Sequence, residues 1–225
     1  MKTNFESRKM KRRNIFLIIC LIVVADQILK IYVKTHFHPG EPHPVLGNWF
    51  QLYFIENEGM AYGLKFGGGF GKIVLTLFRF AAVIFGIFYI NKIVKKKIHT
   101  GYIICIALVF AGALGNLIDS MFYGLIFDKS SFDTYSIAKI FPKHGYAGFL
   151  HGNVVDMLYL PIFHINQLPD WIPFIGGRPF SFFNYIFNIA DASVSVGVIL
   201  ILLFRRRFFK NSEEDSESKP FAVRE

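Results

Sequence analysis

Ionisable and amide side chains recur at the edges of this chain's apolar runs. Asp26 and Lys30 lie four residues apart in the first run, Asn116 and Asp119 three apart in the third, and Asn188 and Asp191 three apart in the fourth. Helical spacing puts each pair on one face. Asp156 stands within Val154-Val155-Asp156-Met157-Leu158 with no Lys or Arg near it, whereas Glu56, beside Asn57, reads as solvated. A charge at bilayer depth costs at least about 2.5–3.5 kcal/mol, so such residues are functional candidates by default. Asp26 and Lys30 read either as a structural ion pair or as a place where Lys30 meets an anionic lipid headgroup. Asp156 and Asp191 are the sharpest candidates. Burial disfavours a carboxylate, and two that approach each other cannot both ionise cheaply. Such a pair shares one proton, so that one member takes a proton from water while the other donates to a carbonyl oxygen. The same two residues also suit a small ion- or proton-coupled transporter.

The elements that must position these groups are membrane helices. Hydrophobic residues make up 53% of the 225 and charged residues 18%, below the roughly 25% of a soluble domain. Four stretches, 15–33, 73–90, 102–122 and 183–204, are apolar enough to cross a bilayer, which takes about 20 residues of helix. A further stretch, 154–163, is too short and is broken at Pro161. Lys and Arg cluster before the first span, between the second and third (Lys92, Lys95, Lys96, Lys97) and after the fourth (Arg205, Arg206, Arg207, Lys210). The positive-inside rule then puts both termini in the cytoplasm and loops 35–71 and 124–181 outside. The net charge of +9 is therefore a signal of topology and anionic lipid, not of nucleic acid.

The basic, then apolar, N-terminus imitates a secretory signal but has no small-x-small cleavage site before Asp26-Gln27, so it reads as an uncleaved span. Cys20 and Cys105 fall inside apolar spans and report no disulfide framework. The scattered His residues lack metal-ligand spacing, so no metal and no cofactor is expected. In the first outer loop, the β-prone aromatic run Trp49 to Phe54 predicts short strands on the membrane surface. The second outer loop is rich in Phe, Tyr, Trp and Pro and is long enough to be functional, as an interfacial segment or lid. Residues 211–225 form a polar cytoplasmic tail, and the whole chain reads as one integral membrane domain, 1–225.

Five motifs occur in order: Asp26-Gln27-x-x-Lys30, Asn57-x-Gly59-x-Ala61-Tyr62-Gly63, Gly112-x-x-Gly115-Asn116-x-x-Asp119, Val154-Val155-Asp156 and Phe187-Asn188-x-Ala190-Asp191. Across residues 14–204 the chain resembles the lipoprotein signal peptidase (signal peptidase II) family of intramembrane aspartic proteases. The resemblance implies a four-helix membrane bundle, an all-α fold carrying a small extracytoplasmic β-cradle and an interfacial lid. It implies Asp156 and Asp191 as the catalytic pair, with Asn57, Gly59, Asn116, Asp119, Asn188, Asp26 and Lys30 as substrate-binding or supporting residues. The implied substrates are diacylglyceryl-modified prolipoproteins, cut on the amino side of the lipidated Cys in the bacterial cytoplasmic membrane. Membrane lipids are the other expected partners, and a monomer is expected. The family usually has Arg after Asn-x-x-Asp, where this chain has Ser120. The segments between Ser120 and Asp156 and between Asp156 and Asn188 are longer than usual. Arg79, in Leu77-Phe78-Arg79-Phe80-Ala81, either snorkels or pairs with Asp119 or another buried carboxylate, or supplies the missing cation to the substrate.

Overall fold

A computed structural model describes residues 12–57, 69–96, 98–131, 133–161, 163–182 and 185–209. Gly59 and the 211–225 tail lie outside them.

The first element, α1 (Arg12–His36), inverts the usual amphipathic helix. Its buried residues include Asp26, Lys30 and Lys34, a stripe at four-residue spacing, while Phe16, Leu17, Leu21, Val24 and Ile28 are exposed. In lipid that is the stable arrangement, because an apolar side chain loses nothing by facing hydrocarbon and a polar one must find a partner inside. The hairpin β1 (Pro42–Leu46) and β2 (Phe50–Asn57) follows. Next come α2 (Gly69–Lys95) and α3 (Thr100–Ile118). A π-helical turn, Asp119–Tyr123, and the short α4 (Gly124–Ile126) extend α3. Strands β3 (Val154–Tyr159), β4 (Phe163–Ile165), β5 (Phe180–Phe182) and β6 (Ile186–Phe187) lead to α5 (Ile189–Leu203).

Helix α3 is the hub, packed against α1, α2 and α5. Small residues let α5 come close. A Cβ built on Gly112 would lie 2.2 Å from the Ala190 carbonyl oxygen, and one on Gly197 would lie 2.7 Å from the Cys105 carbonyl oxygen. The sheet is antiparallel in the order β1-β2-β3-β6, with Ile55 opposite Asp156 and Leu158 opposite Phe187. It packs on the C-terminal end of α1 through a cluster of Val33, Phe54, Tyr123, Phe127, Val155 and Met157. Strands β4 and β5 form a separate two-stranded sheet.

The structure refines the sequence expectations at three points. The small sheet expected beside the helices is present as four antiparallel strands, so the fold is helical with a β part rather than purely α. Three helices, Arg12–His36, Phe70–Lys95 and Thr100–Ile126, have the length and apolarity of a span. The fourth apolar helix has only 15 residues, about 22 Å at 1.5 Å per residue, because strand β6 and the cap Asn188 take residues expected to be helical. Asp156 lies in strand β3, where β-branched Val154 and Val155 favour extended backbone.

The α3–α5 approach leaves no room for a methyl group at Gly112 but ample room at Gly148, where a Cβ would meet nothing within 4 Å. Gly112→Ala is expected to lower stability by about 1–3 kcal/mol through overpacking, and Gly148→Ala to leave it unchanged. Thermal unfolding of both variants in detergent micelles checks this.

Candidate active site

Lys30 is the centre of the polar interior. Its ammonium lies 2.8 Å from Asp26 Oδ2 and 2.8 Å from Asp119 Oδ2, and donates to Asn116 Oδ1 at 2.9 Å. An ammonium has three N–H bonds, and all three are used. Lys30, Asp26 and Asp119 are fully buried, so Lys30 makes the structural pair and does not reach a headgroup. Gln27 donates to Asp119 Oδ1 at 2.8 Å and accepts from the Tyr123 hydroxyl at 3.1 Å.

Because Lys30 occupies the Asn116 oxygen, the Asn116 amide nitrogen must face the other way, and it donates to Asp191 Oδ1 at 2.7 Å. Asn188 works in two directions. Its oxygen accepts from the Asp191 backbone N–H at 2.8 Å, capping the first turn of α5. Its nitrogen donates to Asp156 Oδ1 at 2.7 Å and reaches Asn116 Oδ1 at 3.2 Å. Asp26 adds a second cap from another helix, accepting from the Ala190 N–H at 2.9 Å. The two caps fix the first turn of α5, which carries Asp191, and the positive end of the helix favours an anion there.

Asp156 reaches the same place from the sheet. Asn57, on the neighbouring strand, donates to its Oδ2 at 3.1 Å, and the Val155 N–H on the strand's open side donates to Asp119 Oδ2 at 3.3 Å. Burial pushes the Asp156 carboxyl up to about 7, and the Asp191 charge adds to this, against Asn57, Asn188 and Lys30. Asp191 Oδ2 accepts no hydrogen bond from the described residues, and the side chain is half-buried. A buried carboxyl and a half-buried one with an open oxygen are thus joined through Asn188 and Asn116. That arrangement can activate water and protonate a carbonyl oxygen.

The π-helical turn widens the end of α3 at this level, as such turns do at functional sites. Its carbonyls are taken by the loop that precedes β3, with Gly152 N–H donating to Ser120 O at 2.9 Å and Leu150 N–H to Met121 O at 3.2 Å. Only glycine fits at 152, since a Cβ there would lie 2.0 Å from the Asp119 carbonyl oxygen.

Arg79 donates from Nη1 to Ser120 Oγ at 2.8 Å, and among the described residues it forms no ion pair with Asp119 or any other carboxylate. Glu56 is not simply solvated. It pairs with fully buried Lys34 and accepts from Asn153 Nδ2 at 2.9 Å, while the Lys34 ammonium sits among Phe54, Phe127 and Tyr146 with ring centroids 5.8, 5.3 and 5.0 Å away. Lys34 was missed in sequence, although its position four residues after Lys30 on the Asp26–Lys30 stripe was a signal for it.

The profile of the family Signal peptidase (SPase) II matches residues 18–206. A lipoprotein signal peptidase of Porphyromonas gingivalis is 43% identical over 202 residues, covering 89% of this chain and 86% of the relative. One of Amoebophilus asiaticus is 35% identical over 189 residues, covering 83% and 75%. Two solved structures of bacterial membrane enzymes share the fold. One has a TM-score of 0.54 at 24% identity, covering 96% of this chain and 98% of its own. The other has a TM-score of 0.53 at 25% identity, covering 88% and 95%.

The raised Asp156 carboxyl predicts a pH-dependent stability. The folded protein holds this proton up to about pH 7, whereas an unfolded Asp releases it near about pH 3.9. Stability therefore falls as pH rises through that window. Asp156→Asn does not titrate, so its melting temperature relative to wild type should climb from about pH 4 to about pH 7. Thermal unfolding across that range reads the difference, and a flat difference contradicts the assignment.

Proposed function

Since the chain belongs to the signal peptidase II family, whose members remove signal peptides from prolipoproteins, we propose that it cuts by an aspartic mechanism in which Asp156 and Asp191 share one proton. The observation that carries this reading is the bridge from Asp156 through Asn188 and Asn116 to Asp191. Asp191 takes a proton from water as the oxygen adds to the scissile carbonyl carbon, and Asp156 protonates the carbonyl oxygen. The tetrahedral intermediate collapses when the leaving amine receives the proton held by Asp191 and the carbonyl re-forms as its hydroxyl proton returns to Asp156. Water is consumed, one C–N bond breaks, and both carboxyls end as they began.

Asn57, Asn116 and Asn188 orient the carboxyls, and Asp26, Lys30 and Asp119 hold the frame. Gly59 belongs to the substrate-facing set by its motif. The substrate is a prolipoprotein carrying diacylglyceryl on the Cys after the scissile bond, cut on the amino side of that Cys. The enzyme is a monomer and one integral membrane domain of four crossings, in contact with lipid. The apolar character of α5 and the Arg205-Arg206-Arg207 cluster beyond it support the fourth crossing. The active site lies near the outer face of the bacterial cytoplasmic membrane, with both termini inside, the outer sheet as a cradle, and residues 124–181 as a lid. The basic flanks of the helices support that orientation.

Asp156→Asn and Asp191→Asn should each cut cleavage of a diacylglyceryl-modified prolipoprotein by about 10²–10⁴-fold or more, with the protein still folded. The double variant should be no worse than either single one, because the two act as a unit. A gel-shift cleavage assay measures this, and substantial activity in either single variant sinks the pair. For topology, a cysteine introduced by Asn211→Cys should label with an impermeant reagent only after the membrane is opened. Labelling of intact cells reverses the orientation.

A further inference from the structure

Arg79 is the charge that the catalytic reading does not use. It lies ten residues into α2, about 15 Å along the helix, flanked by exposed Phe78 and Phe80. The helix turns a stripe of Thr76, Arg79 and Val83 inward, with Thr76 and Val83 buried and Arg79 half-buried. The guanidinium crosses to α3, donating to Ser120 Oγ at 2.8 Å, and Ser120 in turn donates to the Asn116 carbonyl oxygen at 2.9 Å. Asn116 is the residue that holds Asp191.

Two observations make this more than a tether between helices. A guanidinium has five N–H donors, and among the described residues only one bond, to Ser120, is made. It also lies in the field of Asp191, Asp119 and Asp156, yet among the described residues it forms no ion pair with any of them. Asp119 is already taken by Lys30 and Gln27, and Asp156 by Asn57 and Asn188. A cation at membrane depth with most of its donors unused is costly unless something else meets it. The site's own carboxylates do not, although the guanidinium reaches Ser120, which follows Asp119 in the chain and is hydrogen-bonded to Asn116.

We propose that Arg79 binds a carbonyl oxygen of the substrate, one other than the scissile carbonyl, which the carboxyl pair polarises. This rests on Asp156 and Asp191 being that pair. The fork donates one N–H to Ser120 and others to the substrate, so the contact forms on binding and is expressed in KM. The chemistry offers two sources of such an oxygen, a peptide carbonyl of the signal segment or an ester carbonyl of the diacylglyceryl group.

The test uses the full-length enzyme in detergent with a lipidated prolipoprotein peptide, in an ester-linked form and an ether-linked form that lacks the ester carbonyls. Arg79→Gln should raise KM by about 10- to 100-fold, the range of a lost charge-assisted hydrogen bond, with kcat within about threefold of wild type. Arg79→Lys keeps the charge but loses the planar fork, so its KM should fall between wild type and Arg79→Gln; it also serves if Arg79→Gln does not fold. A penalty that disappears on the ether-linked peptide assigns the ester carbonyl, and one that persists assigns the peptide carbonyl. An unchanged KM in both variants, or activity lost in step with melting temperature, makes Arg79 a structural tether and overturns the proposal. Asp156→Asn is run alongside. If it cleaves normally, the catalytic reading itself has failed, whatever Arg79 does.

Discussion

One buried ammonium holds this structure in register. Lys30 spends its three N–H bonds on Asp26, Asp119 and Asn116, in an interior where no water can substitute for a missing partner. Each partner then passes the constraint on. Asp26 caps α5 at Ala190, Asp119 accepts from the Val155 N–H of the sheet, and Asn116 is forced to offer its nitrogen to Asp191. Removing one partner from such a set leaves an uncompensated buried charge, at a cost of about 3–5 kcal/mol. The three helices and the sheet therefore settle their relative positions around a single group.

The proposed aspartic chemistry requires conditions that conflict in most places. A shared proton near neutral pH needs burial, whereas hydrolysis needs water. The junction between the helix ends and the four-stranded sheet supplies both. Asp156 is 3% exposed and comes from a strand, while Asp191 comes from the first turn of a helix and is half-buried with an open oxygen. A second polar ladder braces the sheet from the far side. Lys34 pairs with Glu56, Glu56 accepts from Asn153, and Asn153 accepts from Lys72 of α2. Glu56 immediately precedes Asn57, which donates to Asp156, so the ladder also fixes the strand next to Asp156.

Much of the site was legible in the linear chain because its parts repeat at helical spacing within apolar runs. Asp26 with Lys30 and Asn116 with Asp119 needed only the rule that residues three or four apart share a face, and the five motifs in order pointed to the family. The strand expected from the aromatic run at 49–54 is β2. The spacing of Asn188 and Asp191 was equally visible, but its meaning differed. Asn188 is not on the helical face, because it is the cap at which α5 begins.

Local periodicity thus determined which side chains had to be buried, in what runs, and with which near neighbours. Only the tertiary structure decided their partners. Asp26 meets Ala190 across 164 positions, Asn57 meets Asp156 across 99, and Arg79 meets Ser120 across 41. Apolarity marked 154–163 as too short to span without showing that 154–159 is a strand, and it did not reveal the ion pair that Glu56 makes with buried Lys34. Such pairings depend on how helices and strands from distant parts of the chain fill one volume while satisfying every buried charge at once. A single line of residues constrains that condition but does not express it.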